Sequence, residues 1–332
     1  MQLGAPKSQV LGVTALLTAL TLGGCRTSEE DVHRWANTAQ GPRKLSAVLM
    51  HDKYPLDLRV ESALTLIRMK PRSGRRIGIQ GSDDQPGLIG ALAQMPPAPR
   101  NAIVTRLVPR LEEEMKKPLP PAPAGQVPVD PSIPYKDAAF ALLTFNSGAL
   151  VQDEAQRNSL RATLATWCAT NFAERLDDAT QLYGVEQMMR ELKADGVRSL
   201  PGLIAPGAPK IDRLAGLVAD FGDPATKLAA GQKLVAVASE VDSDAWLKQK
   251  TPVVEAANKA SKLHPTPEQF KAQLNQYQEE ELLRIFASMK RVGGKAVVAY
   301  LLKFAQNKDK KEKLRASAMA ALQGNLDRNN PA

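Results

Sequence analysis

The residue types that most often carry chemistry are few in this chain and far apart. Its three histidines are His33, His51 and His264, and none has a Cys, His or Asp at metal-ligand spacing. The sequence also contains no Gly-x-Ser-x-Gly elbow, no Walker loop and no Cys-x-x-Cys. We therefore expect no catalytic residue, no metal ligand and no cofactor.

A glycine-rich stretch, residues 74–90, is the nearest approach to a phosphate-binding loop. Its glycines do not follow the spacing that such loops need to place backbone N–H groups around a phosphate. We expect an ordinary loop in which Asp83 or Asp84 caps a helix that starts at Pro86.

Two acidic triplets, Glu112–Glu114 and Glu279–Glu281, offer carboxylates for acid–base work or for a cation. Consecutive residues of a helix point in different directions, so neighbouring carboxylates do not converge. Each triplet is therefore predicted to be a solvated face beside Lys116, Lys117 or Arg284.

The densest basic cluster contains Lys308, Lys310, Lys311 and Lys313, with Lys303 and Arg315 on its flanks. It fits either a solvated turn, because Asp309 and Glu312 are interleaved, or a contact for an anionic envelope polymer. No aromatic residue is interleaved, so stacking on nucleic acid is not expected. The formal net charge of +9 favours non-specific attraction to anionic surfaces such as lipid head groups.

The strongest local signal lies near the amino terminus. An uncharged run of 13 residues, Val10 to Leu22, follows a short segment that carries Lys7. A bilayer span needs roughly 20 residues, so a run of this length is typical of a cleaved secretory leader. We expect the leader to be residues 1–24.

The four residues that close this run, Leu22-Gly23-Gly24-Cys25, resemble the bacterial lipoprotein signal. The resemblance implies that a signal peptidase recognises Leu22, Gly23 and Gly24, and that Cys25 receives the lipid, palmitate included, and becomes the mature amino terminus. Because Arg26 follows where many inner-membrane lipoproteins have Asp, the analogy favours the outer membrane. The short polar spacer that follows keeps the folded body close to the membrane.

Helical periodicity dominates the rest of the chain. Apolar residues recur at three- and four-residue spacing from Val297 to Ala305 and again from Leu314 to Leu322. With a break at 307–309, this pattern predicts two antiparallel helices, and Gly324 is expected to end the second. Similar pairs are predicted at 45–67 and 211–236, the latter with Asp223 as a cap and Pro224 in the first helical position.

These pairs resemble HEAT repeats, in which the second helix follows Leu/Val-Arg-x-x-Ala-x-x-x-Leu. The residues that carry the resemblance are Leu58, Arg59, Ala63 and Leu66 in one pair and Leu314, Arg315, Ala318 and Leu322 in another. One further copy is split, with helices at 102–111 and 136–143 on either side of a proline-rich segment. The resemblance implies an all-α fold, an α-solenoid of stacked helical hairpins.

Further helices are predicted at 153–176, 180–192, 209–221, 243–263 and 267–289. The first carries core residues at Leu160, Leu164, Trp167, Cys168 and Phe172, so Cys168 is interpreted as a buried thiol. Thr266 and Gln269 have the spacing of a capping box for the last. The chain is thus divided into a leader (1–24), a lipidated tether (25–42), amino-terminal repeats (43–117), a proline-rich linker or loop (118–134) and carboxy-terminal repeats (135–328).

These features predict a membrane-anchored lipoprotein that acts as a helical-repeat scaffold for protein–protein interaction at the cell envelope. The alternative is an envelope enzyme or small-ligand receptor on an irregular helical domain, whose pocket contains several of His51, Arg75, Asp83 and Asp84. A third possibility is a structural envelope component held by its basic surface.

Overall fold

The protein is described by a computed structural model over residues 27–72, 74–120, 130–178 and 181–329, with side chains described as far as residue 325. The proposed leader and lipidation residues, Leu22 to Cys25, lie outside these ranges. Over the described ranges the chain forms 17 α-helices and two short 3-10 helices. These ranges contain no β-strand, and their two isolated β-bridges join Arg72 with Arg75 and Ser82 with Gln85. The prediction of an all-α fold is confirmed.

The chain divides into two compact units, the first ending at Leu107 and the second starting at Val108. The helices of the first unit are α1 (Glu29–Trp35), α2 (Gly41–Met50), α3 (Leu56–Arg68), α4 (Ile77–Gln80), α5 (Gly87–Gln94) and the first half of α6 (Pro97–Lys116). In this unit α2 and α3 form the most extensive helix pair, and α1 and α5 both pack against them.

The second unit holds the remainder of α6 and eleven further α-helices. These are α7 (Ile133–Thr144), α8 (Glu154–Thr170), α9 (Phe172–Arg175), α10 (Val185–Leu192), α11 (Ala194–Val197), α12 (Ile211–Phe221), α13 (Pro224–Val241), α14 (Asp244–Ala260), α15 (Pro267–Val292), α16 (Lys295–Gln306) and α17 (Glu312–Asn329). Two 3-10 turns, Phe145–Gly148 and Leu200–Leu203, lie between them. The longest helix, α15, packs against α12, α13, α14 and α17.

The first and last hairpins share one detailed feature. In both, a five-residue loop joins the helices, and the fourth residue of the second helix is an arginine. Arg59 Nε donates to the carbonyl of Leu49 at 2.9 Å, and Arg315 Nε donates to the carbonyl of Ala305 at 3.1 Å. Each acceptor is ten residues before its arginine and is the penultimate residue of the first helix. The predicted repeat is therefore reproduced at both ends of the described chain.

The small residue of the repeat pattern lies three positions after each arginine. It is Ser62 in the first hairpin and Ala318 in the last, and both are fully buried. The hydroxyl of Ser62 donates to the carbonyl of Leu45 at 2.8 Å, so this buried polar group has a hydrogen-bond partner. Ala63, which the sequence reading assigned to this position, is the adjacent residue and is also buried.

The predicted hairpin at 211–236 exists as α12 and α13, but it lacks this feature. Its loop has only two residues, and Lys227 is the fourth residue of the second helix. Asp223 caps α13 by accepting from the Thr226 amide at 2.7 Å, as predicted. Both helices pack more extensively against α15 than against each other, so this copy is part of a larger cluster.

Local cap signals were mostly correct. The Thr266–Gln269 capping box is present, with the amide of each residue donating to the side chain of the other. Gly324, by contrast, was wrongly predicted to end its helix, because α17 continues to Asn329. A side chain at Gly324 would meet Lys290 on α15 at 2.6 Å, so the glycine serves close packing of α15 and α17.

Two predicted boundaries also shift. The helix expected from residue 180 begins at Val185, because the preceding segment is held elsewhere: the Tyr183 ring packs on Phe140 at 4.7 Å between ring centroids. The proline-rich segment 118–134 ends in a helix, since α7 begins at Ile133 with Pro134 in its first turn.

Candidate functional site

The lysine cluster predicted to contact an anionic partner lies at the loop before α17. Lys310 pairs with Asp242 at 2.7 Å. Lys311 and Lys313 both reach Glu279 on α15, each at 3.0 Å. Three of the four lysines therefore already have a carboxylate partner, and these ion pairs tie the last hairpin to its neighbours.

Glu279 is the carboxylate that Lys311 and Lys313 share. Hydrogen bonds from Lys313 and Lys311 hold the pKa of its carboxyl below the usual value. Its neighbour Glu281 was wrongly predicted to be solvated: it is buried, accepts from the Gly207 amide at 2.7 Å and pairs with Arg284 at 2.8 Å. In the other triplet the predicted solvated face holds only for Glu113, because Glu112 and Glu114 are partly buried; Glu114 pairs with Lys117 at 2.8 Å.

The glycine-rich stretch 74–90 contains two tight backbone turns. Arg72 with Arg75, and Ser82 with Gln85, exchange backbone hydrogen bonds of 2.8–3.1 Å. Neither Asp83 nor Asp84 caps α5, whose cap residue is Pro86 without a side-chain bond, so that prediction was wrong. Asp83 and Asp84 are the two central residues of the turn closed by Ser82 and Gln85, and both are exposed.

His33 lies near two carboxylates, and His51 lies near one, with Nδ1 3.5 Å from Asp52 Oδ1. His33 Nε2 lies 2.8 Å from Glu61 Oε1 on α3 and 3.9 Å from Glu29, one turn earlier on α1. The sequence reading compared His33 with Cys, His and Asp and overlooked Glu29 at the i,i+4 spacing that places both side chains on one helical face.

A histidine with two carboxylates is a ligand set that zinc accepts. Here, however, Glu61 Oε1 also accepts from Arg68 Nη1 at 2.9 Å. Burial raises the pKa of the Glu61 carboxyl, but the His33 bond and the Arg68 charge outweigh it, so the pKa lies below its usual value. The guanidinium opposes a metal cation, and the cluster is described best as an ion-pair network.

The second unit contains a cavity of about 460 Å³ against one face of α8. Ser159, Thr163, Thr166 and Thr170 recur along that face at helical spacing and present a row of hydroxyls. At the end of α6, apolar Met115, Pro118 and Leu119 line the cavity together with two cations, Lys116 and Lys117. The cavity is thus amphipathic, a property of small-ligand sites.

The floor of this cavity is a connected hydrogen-bond network. Trp167 Nε1 donates to Ser132 Oγ at 2.8 Å, and Ser132 Oγ donates to Asp130 Oδ1 at 2.6 Å. Arg175 holds the other oxygen of Asp130 at 3.0 Å. These bonds fix the tryptophan and the carboxylate in place.

Beneath this floor lies a fully buried ion pair. Lys136 Nζ is 2.8 Å from Asp137 Oδ1, and both side chains have no exposed surface. Lys136 also donates to the Tyr183 carbonyl and lies over the Trp167 ring, 5.4 Å from its centroid. The sequence signal for this pair was two adjacent charges at the start of the otherwise apolar helix α7.

Cys168, predicted to be a buried thiol, is fully buried and free. Burial raises the pKa of its thiol to about 12, although the Lys136 charge acts in the opposite direction. The thiol is therefore protonated at neutral pH and is a poor nucleophile. The ionised groups around this cavity pair with one another, Asp130 with Arg175 and Lys136 with Asp137. Such an arrangement is suited to binding.

The residues proposed for the alternative pocket are not brought to this cavity. His51, Arg75, Asp83 and Asp84 all belong to the first unit, and the cavity residues belong to the second. The residues of the proline-rich segment that line the cavity are Pro118, Leu119, Asp130 and Ser132.

No protein-family model, no curated protein and no solved structure matches this chain. Within the described ranges, no helix has both the length and the apolar character needed to cross a membrane.

Proposed function

We propose that this chain is a membrane-anchored lipoprotein that acts as a helical-repeat scaffold for protein–protein interaction at the cell envelope, with the outer membrane as its location. The sequence Leu22-Gly23-Gly24-Cys25 supports the anchor. The shared arginine-to-carbonyl bond of the α2–α3 and α16–α17 hairpins supports the repeat.

The repeated hairpin is the observation that carries the scaffold role. Paired helices that stack bury apolar surface between neighbours and leave their outer faces free for a partner. On the last hairpin, Leu302 and Met319 are 42% and 49% exposed, which is high for large apolar side chains. They are the positions at which we expect a protein partner to make contact.

The anchor is tested at Cys25. The Cys25→Ala variant should incorporate no labelled palmitate and should leave the membrane fraction, with its helix content by circular dichroism unchanged. Wild-type chain that takes up no label, or a variant that stays in the membrane by a salt-resistant attachment, would contradict the anchor.

The scaffold is tested by site-specific crosslinking in intact cells. A photoreactive residue at position 302 or 319 should capture a specific protein that is then identified by mass spectrometry. The same probe at Lys271, an exposed position on α15, is the matched control. Equal capture from all three positions would contradict a defined partner face.

A second function, a small-ligand receptor, is favoured by the cavity on α8. Its hydroxyl row and fixed tryptophan suit a neutral polyhydroxylated ligand. Neutral saccharides should change the fluorescence of Trp167, and Thr163→Val should abolish the change while Thr251→Val, on α14, should not. An unaltered response in Thr163→Val would exclude the cavity as the binding site.

A further inference from the structure

A group of cations surrounds the loop between α1 and α2 in the first unit. We define the basic patch as Trp35, Arg43, Lys44, Lys70, Arg72 and Arg75. Residues 68–76 alone contain five Lys or Arg and no Asp or Glu. Among the described residues, Arg43, Lys70 and Arg75 have no ion-pair partner.

Hydrogen bonds join several members of this patch. Arg72 Nη2 donates to the Thr38 carbonyl at 2.6 Å and Nη1 to the Ala39 carbonyl at 3.3 Å. The backbones of Arg72 and Arg75 exchange two hydrogen bonds of 2.9 Å, which places Arg75 beside this contact. The segment after α3 is therefore fixed against the start of α2, where Arg43 and Lys44 lie.

Trp35 adds an amphipathic ring to the cations. It ends α1, is half-buried, and has Lys44 Nζ 5.1 Å from its ring centroid. The other two tryptophans, Trp167 and Trp246, are buried. An indole beside lysine and arginine side chains is the composition of surfaces that lie at a membrane interface.

The patch also lies near the proposed anchor in the chain. Three residues separate Cys25 from the start of α1, and α1 has seven residues. Extended chain at about 3.5 Å per residue and helix at about 1.5 Å per residue place Trp35 within about 25 Å of Cys25.

Acidic residues lie at the opposite end of α1. Glu29, Glu30 and Asp31 form its first turn, and Asp31 is bound to Ser28 and Arg34. Asp31 lies about 6 Å from Trp35 along the helix, within one Debye length at physiological ionic strength. Hydrogen bonds from Ser28, and the charges of Arg34 and Lys44, lower the pKa of its carboxyl. The acidic turn therefore reduces the positive potential beside Trp35 and Lys44.

We propose that the basic patch docks the first unit on the phosphate-bearing head groups of an anionic bilayer. Its orientation toward the membrane rests on the proposed function, the lipid anchor at Cys25. Each lysine or arginine near an anionic surface contributes about 1 kcal/mol, so the patch supplies a second attachment beside the lipid.

The test uses the full chain without lipid on Cys25 and phosphatidylcholine vesicles with or without phosphatidylglycerol. The Lys70→Gln/Arg75→Gln variant should bind the anionic vesicles roughly 30-fold more weakly, about fivefold per charge. Lys233→Gln/Lys271→Gln, which removes two exposed lysines elsewhere, should change binding by less than about twofold. The leader's apolar run is present in all forms and cancels in the comparison.

Tryptophan quenching gives a direct reading of the docked surface. Brominated lipid in anionic vesicles should quench wild-type fluorescence, and Trp35→Phe should remove that quenching. Three results would each overturn the proposal. They are equal losses of binding for Lys70→Gln/Arg75→Gln and Lys233→Gln/Lys271→Gln, unchanged binding of the first of these variants, and competition by inorganic phosphate at constant ionic strength.

Failure of this proposal is separable from failure of the anchor. Absence of palmitate on Cys25 with patch-dependent vesicle binding would remove the anchor and leave the patch. Palmitate on Cys25 with patch-independent binding would do the reverse.

Discussion

The two cation-rich turns of the molecule differ in what their charges face. In the turn before α17, carboxylates on other helices pair with Lys310, Lys311 and Lys313. In the turn after α3, Arg72 is bound to backbone carbonyls, and Lys70 and Arg75 have no ion-pair partner among the described residues. The density of charge along a sequence is therefore a poor guide to the charge a surface offers. The charge that a surface offers depends on the number of carboxylates near its cations.

The largest expected effect comes from the arginine that fixes the basic patch. Arg72→Leu should destabilise the α1–α2 loop by about 2 kcal/mol, because a charged donor is lost and two carbonyls lose a partner. Hydrogen exchange by mass spectrometry over residues 27–50 measures this. Arg75→Leu, which removes the same charge without those bonds, should cost less than about 0.5 kcal/mol. Equal effects would mean that the bonds of Arg72 contribute nothing.

A smaller effect is expected from the ion pair of the other turn. Lys310→Met should lower the free energy of unfolding of the second unit by about 1 kcal/mol, since its partly buried pair with Asp242 is lost. A double-mutant cycle with Asp242→Asn isolates the interaction. Lys308→Met, at an exposed position of the same turn, is the control. A coupling energy of zero would show that the pair is only a solvated contact.

The pH dependence of stability should reveal the Glu279 pairs. Because the pKa of Glu279 is lower in the folded chain, its contribution is present above the unfolded value and is lost as the pH falls through the folded one. The free energy of unfolding of the wild type, measured by urea denaturation, should therefore decrease as the pH drops below about 4.5, the usual glutamate range. Glu279→Gln should lose less over the same interval. Parallel pH profiles for the two proteins would contradict the pairs.

The smallest expected effect is on membrane binding by the lysine turn. Lys311→Gln/Lys313→Gln should weaken the binding of phosphatidylglycerol vesicles less than Lys70→Gln/Arg75→Gln does, because Glu279 pairs with both lysines and offsets one of their two charges. Side-by-side sedimentation with the Lys70→Gln/Arg75→Gln variant makes the comparison. A loss as large as that of the patch variant would show that both turns face the bilayer.

Two signals confined to a few residues were read correctly from the sequence, whereas the cap at Asp83 or Asp84 and the stop at Gly324 were not. The cap at Asp223 and the capping box at Thr266 depend only on groups three residues apart. The buried positions of α8, Cys168 included, followed from helical periodicity alone.

Features that depend on distant residues were not predictable in this way. The partner of Lys310 lies 68 residues earlier, and the side chain that explains Gly324 belongs to another helix. The hydrogen-bond network under the α8 cavity likewise joins residues 35 positions apart, Ser132 and Trp167. The lipidation motif at Cys25 remains a prediction.

The role of α15 has a consequence for how such an array can change over evolution. One helix of 26 residues packs against α12, α13, α14 and α17, so several hairpins share a single wall. Duplication or deletion of one hairpin would expose or crowd that wall. We expect the carboxy-terminal helices to be inherited and lost together, whereas α2 and α3, whose hairpin is closed by its own arginine, form the smaller module that can be copied.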